Sequence, residues 1–214
     1  MQLLRQVKLE LLAESLPLPI QFESRRKKLR RFLRLEIITI EKIWFPCLKE
    51  LLKKEERFSI NGLVYVAIDR TSWGVINILM VSLEMSIAAY QRRFDIEEMF
   101  RDFKSGGYSL EGSGLSEKYL SKLLIVVSIA YTSATLQGQA IKKMGIQKYV
   151  ARPETRERRQ RRHSSFYVGQ HLHHWVQLHQ MFQKSIEQLM QISRHRWSDY
   201  IKGKRAIQLA LSTF

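Results

Sequence analysis

Four side chains that could act on a phosphodiester stand at regular spacing in one segment: Tyr90, Arg93, Glu97 and Lys104. On an α-helix, which turns by about 100° per residue, they fall within about 60° of one another and share one narrow face. A carboxylate can bind a divalent metal, and cations beside it can bind phosphate oxygens. The spacing therefore favours a site that holds metal and nucleic-acid phosphate together. The alternative is a solvated helix face on which Arg93 pairs with Glu97.

Two further segments carry a recognisable pattern. Residues 64–73 are Val-Tyr-Val-Ala-Ile-Asp-Arg-Thr-Ser-Trp, and residues 100–111 are Phe-Arg-Asp-Phe-Lys-Ser-Gly-Gly-Tyr-Ser-Leu-Glu. With the quartet, and in this order, they resemble the DDE transposases of the insertion-sequence-four family. In that family a strand ends on the first catalytic Asp, an Arg-Thr-x-Trp turn follows, and a Tyr-Arg-Glu-Lys signature comes later. The resemblance extends more loosely from about Leu16 to the end of the chain.

The resemblance implies a ribonuclease-H-like catalytic core that performs cut-and-paste DNA transposition with two Mg²⁺ or Mn²⁺ ions. Asp69 would bridge the two metals and Glu97 would bind one of them. Arg93 and Lys104 would hold phosphates that flank the cleaved bond, and Tyr90 would contact the DNA backbone. By its local context alone, Asp69 could instead be an ordinary residue that caps a turn at the end of a strand.

One departure from the family concerns the catalytic acids. The family has three, with a long segment between the first and the last, but here only 27 residues separate Asp69 from Glu97. The acids among them, Glu84 and Asp95, do not match the context of the family's middle Asp. We therefore expect a shortened transposase that binds DNA but is deficient in catalysis. The alternatives are a non-catalytic DNA-binding remnant or inhibitor of a full-length transposase, and a non-functional product that folds poorly.

The composition of the 214-residue chain points to a polyanionic partner. Its 36 Lys and Arg residues exceed its 20 Asp and Glu residues, for a net charge of +16, which favours nucleic acid before a membrane. The single cysteine, Cys47, excludes an internal disulfide. The most apolar stretch, Leu123–Leu136, is shorter than the ~20 residues that span a bilayer. We expect a cytoplasmic, nucleoid-associated protein that binds DNA element ends, as a homodimer or a hetero-oligomer with full-length transposase.

Composition and periodicity divide the chain into three regions. These are a helical basic region over residues 1–58, a remnant of the catalytic domain over 59–145, and a basic linker with a C-terminal helix over 146–214. Apolar runs at 63–68 and 75–83 predict two strands that form an antiparallel hairpin. The expected fold class is therefore α/β but mostly helical, a truncated ribonuclease-H-like core in which helices pack on a residual β-hairpin.

The remaining pattern predicts helices, with turn signals between them. They cover residues 2–14, 24–35 with Ser24 as the N-cap, 39–54 kinked or divided at Pro46, 86–104 ended by Gly106 and Gly107, 118–143, and 167–197. The last helix has one apolar stripe, which contains Leu172, Trp175 or Val176, His179, Phe182, Ile186 and Leu189.

Two basic runs are candidate phosphate-binding surfaces. Residues 25–34 contain seven bases and no acid, and residues 152–162 contain six arginines and two acids. Such contacts position a protein on nucleic acid without selecting a sequence, whereas a solvated charged face is the alternative. The DNA-binding residues predicted in the first run are Arg25, Arg26, Lys27, Lys28, Arg30 and Arg31.

Four histidines in the last predicted helix raise the question of a metal site: His171, His173, His174 and His179. His171 and His174 could share a helix face, but no cysteine lies near them and no His-Glu-x-x-His motif occurs. The pattern favours histidines on the helix surface, or facing DNA, over a zinc site.

Overall fold

The computed structural model describes residues 4, 6–54, 65–73, 76–84, 99–103, 107–152 and 163–214. The chain divides into two compact units, one that runs to Ser128 and one from Ile129 to Phe214. Of the predicted helix over residues 86–104, only residues 99–103 are described, and they are helical.

The first unit begins with short helices. Helix α1 is Leu9–Ser15 and α2 is Phe22–Phe32. A π-helical turn, Ile40–Trp44, leads directly into α3, Phe45–Lys54. Pro46 is the second residue of α3 and lacks the N–H that would continue the hydrogen-bond pattern begun by the π-helical turn. The segment that the sequence predicted to be kinked or divided at Pro46 thus changes helix type one residue before that proline.

The start of α2 corrects a prediction from the sequence. The N-cap is Gln21, whose side chain makes no capping hydrogen bond, so the assignment of Ser24 as N-cap is wrong. Ser24 lies in the first helical turn instead. Glu23 precedes it in that turn, where a negative charge interacts favourably with the partial positive charge of a helix N-terminus.

Two strands follow, β1 at Tyr65–Trp73 and β2 at Ile76–Glu84. They are antiparallel, in a register that pairs Asp69 with Met80. Within the described ranges they pair only with each other, and every other regular element there is a helix. The expected α/β fold with a ribonuclease-H-like core is therefore wrong, because the described part of the chain is built from helices and holds no sheet larger than this pair of strands. Two strands joined only to each other cannot provide the larger sheet on which such a core is built.

The position of Asp69 within β1 also differs from the expectation. The strand continues past Asp69 to Trp73, so Asp69 does not end it. The Arg-Thr-x-Trp segment is extended and does not form a turn. A β-branched residue, Thr71, and an aromatic residue, Trp73, both favour strand conformation.

The rest of the first unit packs around aromatic and aliphatic side chains that precede and begin the long helix α4, Glu117–Lys143. Its buried residues include Phe100, Phe103, Tyr108, Leu110, Leu120 and Leu123. The backbone N–H of Tyr108 donates to the carbonyl oxygen of Asp102 at 2.9 Å, and the rings of Phe103 and Tyr108 lie 6.4 Å apart. Burial raises the pKa of the Tyr108 phenol, and the Asp102 carboxylate raises it further.

The second unit contains the C-terminal half of α4, the short helix α5 (Gln147–Val150), the long helix α6 (Ser165–Ile192) and α7 (Trp197–Leu211). A 3-10 turn, Arg194–Arg196, connects α6 to α7. Their shared core consists of small and aliphatic side chains: Ile141, Ile146, Val168, Leu172, Val176, Ala206 and Ala210.

Helices α4 and α6 cross at two glycines. A Cβ added at Gly138 would overlap the carbonyl oxygen of Ser165, and one added at Gly169 would overlap that of Ala134. Each helix thus contributes two small residues four positions apart, on the same helix face. The absence of side-chain bulk lets the two backbones come into direct contact.

Helix α6 is interrupted at Phe182, whose φ of −108° and ψ of 15° are not helical. Leu172 and Val176 before this kink are buried, but Phe182 and Leu189 are 51% and 63% exposed. The prediction that one apolar stripe runs through all these positions is therefore wrong for its C-terminal part. A kink rotates the following turns relative to the preceding ones, and hydrophobic periodicity alone does not reveal it.

By length and composition, α4 is the one helix in the described ranges that could cross a membrane. A core helix of a soluble protein meets the same criterion. In each unit α4 contributes fully buried residues to the interior, Leu123 and Val127 in the first and Ala134 and Ile141 in the second.

Candidate nucleic-acid interface

Helix α2 packs against α1, and Arg25 fixes the contact. Its Nη1 donates to the carbonyl oxygens of Leu16, at 3.2 Å, and Glu14, at 3.4 Å. These carbonyls belong to the C-terminal end of α1, where no further turn supplies donors. Arg25 was predicted to bind DNA, and the structure gives its guanidinium this intramolecular contact.

Arg26 has a comparable position. Its Nη1 lies 3.0 Å from Oε1 of Glu23 in α2, and its Nε lies 3.6 Å from Oε1 of Glu10 in α1. Two carboxylates thus neutralise this cation locally. Arg25 and Arg26 orient α2 on α1, although the sequence pattern predicted for them the same role as for the other bases of the run.

The remaining bases of this run point to solvent. We call them the basic face, and they are Lys27, Lys28, Arg30, Arg31 and Arg34, all exposed. Lys27 and Arg31 lie one helical turn apart, and Arg30 and Arg31 occupy the last turn of α2. In the part of the chain that the structure describes, no acid pairs with any of the five. Their charges are therefore available to an external anion.

The segment after α2 anchors the basic face to the first unit. α2 itself has no buried residue, but Leu33 and Ile38 just beyond it are each 4% exposed. The Nζ of Lys122 in α4 donates to the carbonyl oxygen of Leu35 at 2.6 Å. The basic face therefore belongs to a folded surface and is not a free tail.

Most of the other residues that the sequence predicted to contact DNA are not among the residues that the structure describes. Tyr90, Arg93, Glu97 and Lys104 lie outside the described residues, as does the arginine run beyond Arg152. The proposed phosphate and metal roles of the quartet thus remain predictions from the sequence.

The hairpin bears on whether Glu84 could replace the missing acid. Asp69 pairs with Met80, and Glu84 pairs with Tyr65 at the far end of the ladder. The two acids are therefore four residues apart along the ladder, or about 13 Å at the rise of a β-strand. In this hairpin the backbones of Asp69 and Glu84 are not neighbours.

Two of the four histidines of α6, His171 and His173, have hydrogen-bond partners within the second unit. Nδ1 of His171 lies 2.9 Å from the carbonyl oxygen of Tyr167, and Nε2 of His173 lies 2.7 Å from Oε1 of Gln137. The rings of His163, Tyr167 and His171 are stacked, with centroids 4.4 Å and 3.9 Å apart. Among the described residues, no three His, Cys, Asp or Glu side chains come together as a metal site.

Burial lowers the pKa of His173 below its ordinary value of 6.5. The unfolded chain therefore binds more protons than the folded protein at and below that pH, so stability falls as the pH decreases through 6.5. We expect the thermal midpoint to drop between about pH 7.5 and pH 5.5, and to drop less in His173→Gln. Thermal melts followed by circular dichroism at several pH values test this.

His174 provides the matched control, because it is the next residue of the same helix and is exposed. His174→Gln should keep the pH dependence of the wild type. If His173→Gln showed the same pH dependence as the wild type, the buried imidazole would not be its source.

The two arginines that hold α2 are not distinguished by residue type from the exposed cations beside them. A signal was available for Arg26, since Glu23 precedes it by three residues, which is a helical pairing distance. The contact of Arg25 depends on how α1 and α2 fold together, and no local pattern indicates it.

Comparisons of the chain with protein-family models, curated proteins and solved structures find no match.

Proposed function

We propose that this chain is a DNA-binding protein, derived from a DDE transposase, that docks on the phosphodiester backbone through the basic face and does not cut it. The observation that carries the proposal is the arrangement of α2. Five exposed cations lie on and beside one helix, no described acid pairs with them, and the chain as a whole has a net charge of +16.

The mechanism is electrostatic. Lysine and arginine side chains on the basic face neutralise phosphates and release the counterions condensed on the duplex. Arg25 and Arg26 contribute indirectly, because they hold α2 on α1 and so present the other cations together. Contacts of this kind fix the position of the protein on DNA without selecting a base sequence.

The inference that cleavage is absent comes from the sequence. Only Asp69 and Glu97 lie in contexts that resemble those of the family's catalytic acids, and the middle acid has no counterpart. Two-metal phosphoryl transfer depends on carboxylates that hold both ions. A chain with two of the three acids would retain DNA affinity and could occupy element ends, and so inhibit a full-length transposase.

The test measures the affinity for a labelled DNA duplex by fluorescence anisotropy across a range of salt concentrations. The variant Lys27→Ala/Arg30→Ala/Arg31→Ala should bind more weakly than the wild type. The plot of log K against log salt should also become shallower, by about 0.9 for each phosphate that the variant no longer neutralises.

The matched control removes the same number and type of charges from the second unit, in Lys202→Ala/Arg194→Ala/Arg205→Ala. All three residues are exposed. The control should keep nearly the full salt slope. Equal losses of affinity in both variants would mean that net charge alone drives binding and would contradict the basic face as the interface.

Two additional arms separate the alternatives. Incubation of supercoiled plasmid with Mg²⁺ or Mn²⁺ should yield no nicked product, and nicking that disappears in Glu97→Ala would show that cleavage survives.

Exposed apolar residues near the basic face, Phe32, Leu35 and Ile37, make an anionic membrane surface the competing partner. Binding to anionic lipid vesicles without binding to DNA would overturn the proposal.

A further inference from the structure

A second exposed surface lies where the chain passes from α6 through the 3-10 turn into α7. We call it the elbow, and it comprises residues 189–197. It carries three large apolar side chains that stand mostly or partly in water: Leu189 is 63% exposed, Ile192 83% and Trp197 44%. Side chains of this kind gain free energy when they leave water. Their grouping at one bend of the chain indicates a surface that binds an apolar partner.

Backbone hydrogen bonds hold the elbow in place. The N–H of Ser193 donates to the carbonyl oxygen of Leu189 at 3.2 Å, and the N–H of Arg196 donates to that of Ser193 at 2.9 Å. The rings of Trp197 and Tyr200 lie 5.4 Å apart. The bend is therefore formed before any partner arrives, and binding does not have to order it.

The charged side chains of the elbow are cations. Arg194 and Arg196 are exposed, and residues 188–198 contain no acid. The acids that flank this stretch, Glu187 and Asp199, each pair with a lysine of α7. Among the described residues, no acid pairs with either arginine. The elbow thus combines exposed apolar side chains with positive charge that is available to an external anion.

We propose that the elbow docks on the surface of a membrane that contains anionic lipids. Leu189, Ile192 and Trp197 enter the boundary between headgroups and acyl chains, where the amphipathic indole ring is favoured. Arg194 and Arg196 place their aliphatic stems along this boundary and their guanidinium groups among the anionic headgroups. Attraction between these cations and the lipid charge adds to the burial of apolar surface.

Two other occupants fit the elbow less well. The backbone of a DNA duplex could pair with the arginines, but it offers no apolar surface to Leu189 and Ile192. A second copy of the chain would bring its own arginines next to Arg194 and Arg196, on a protein whose net charge is already +16. An anionic bilayer supplies an apolar layer with negative charge at its edge. The inference does not rest on the proposed DNA binding, because it concerns other residues.

Co-sedimentation with lipid vesicles tests the proposal. The full chain, treated with nuclease and kept reduced, is mixed with vesicles of phosphatidylcholine and phosphatidylserine, or of phosphatidylcholine alone. The wild type should bind the mixed vesicles more tightly than the neutral ones. Leu189→Ser/Ile192→Ser should weaken that binding at least about tenfold, through the apolar area it removes. Arg194→Gln/Arg196→Gln should weaken it by about fivefold for each cation.

The matched control is Leu35→Ser/Ile37→Ser, which removes two exposed apolar side chains of the same types from the first unit. It should bind the mixed vesicles like the wild type. The basic-face variant Lys27→Ala/Arg30→Ala/Arg31→Ala should lose DNA affinity but keep most of its vesicle binding. The elbow variants should show the reverse, so failure of the proposed function and failure of membrane docking are seen separately.

Several results would contradict membrane docking at the elbow. The wild type could fail to bind anionic vesicles, or its binding could survive unchanged in Leu189→Ser/Ile192→Ser. If that variant kept its vesicle binding and instead lost DNA affinity or concentration-dependent self-association, the elbow would be a site for nucleic acid or for a second copy. Either result would overturn the proposal.

Quenching of tryptophan fluorescence by brominated phosphatidylcholine in the mixed vesicles tests insertion directly. The wild type should be quenched. Trp197→Phe keeps an aromatic ring, so it should still bind but lose most of the quenching. The control is Trp175→Phe, at a partly buried ring that stacks on Tyr149 within the second unit, and it should be quenched like the wild type. Quenching that persists in Trp197→Phe would place a different tryptophan in the bilayer and contradict docking through the elbow.

Discussion

Replacing Gly138 or Gly169 with alanine is expected to destabilise the second unit by about 3 kcal/mol, the upper end of the usual cost of overpacking. Here the added methyl group meets backbone. At Gly138 it would overlap the carbonyl group of Ser165 and lie 2.9 Å from the amide nitrogen of Gly169. Neither partner can move without displacing a helix, so α4 and α6 would have to separate along their crossing.

Urea denaturation of each variant measures this loss of stability. The matched control is Gly203→Ala in α7, because an added Cβ at Gly203 meets nothing within 4 Å. Alanine there should stabilise the helix by about 0.5–1 kcal/mol, through its higher helix propensity. If Gly138→Ala and Gly203→Ala had similar effects, the close crossing of α4 and α6 would not exist in solution.

Leu172→Ala should cost about 2–5 kcal/mol, the usual range for removing a large aliphatic side chain from a closed core. Leu172 is fully buried, and its neighbours in the core include Val168, Val176 and Ala206. The substitution leaves a cavity among residues of three helices, α4, α6 and α7, that cannot all move in to fill it.

Leu178 supplies the comparison, as the same residue type on the same helix but 40% exposed. Leu178→Ala should cost less than about 1 kcal/mol, because much of its surface is already in water. Equal losses of unfolding free energy at the two positions would mean that α6 presents a different face to the core.

The helices were largely predictable from the sequence because their signals are local. The predicted helix over residues 118–143 is observed at Glu117–Lys143, and the predicted basic helix over 24–35 is observed at Phe22–Phe32. The long helix is flanked by Gly114 and Gly145, and the basic helix consists mostly of Lys, Arg and Leu and follows Pro17 and Pro19. Their ends are off by up to three residues, since helix boundaries depend on weak capping preferences.

The last predicted helix shows where local reasoning fails. The sequence pattern predicts one helix with a continuous stripe over residues 167–197, whereas α6 is kinked at Phe182 and ends at Ile192. No proline or glycine marks the kink. The packing of α7 against the C-terminal half of α6, through the Glu187–Lys204 pair, involves residues distant in sequence. Periodicity carries no information about such a partner.

The residue types of the candidate site were predictable from the sequence, but which of its bases face solvent and which hold α2 on α1 was not. The density of bases in residues 25–34 is visible in the sequence, and the structure places most of them in solvent. The exceptions are Arg26, which pairs with two carboxylates, and Arg25, whose partners are the backbone carbonyls of Glu14 and Leu16. Backbone carbonyls have no residue-type signature, so only the folded arrangement of α1 and α2 reveals this contact.

The prediction of the fold class was wrong for a different reason. A resemblance in short motifs carries with it the expected surroundings of those motifs, here a larger sheet that the described part of this chain does not contain. Strand β1, which contains Asp69, and strand β2 pair with each other over nine residues each. A hairpin can form from local contacts alone, whereas a larger sheet needs strands from elsewhere in the chain.

The exposed thiol of Cys47 on α3 has a practical consequence for studying the protein. Because it is the only cysteine in the chain, a maleimide dye would attach at one defined position without any substitution. That position belongs to the same unit as the basic face, so a single fluorophore could report docking on DNA. The same thiol could also link two copies covalently in oxidising buffer, and such a species would imitate self-association in any measurement of mass made without a reductant.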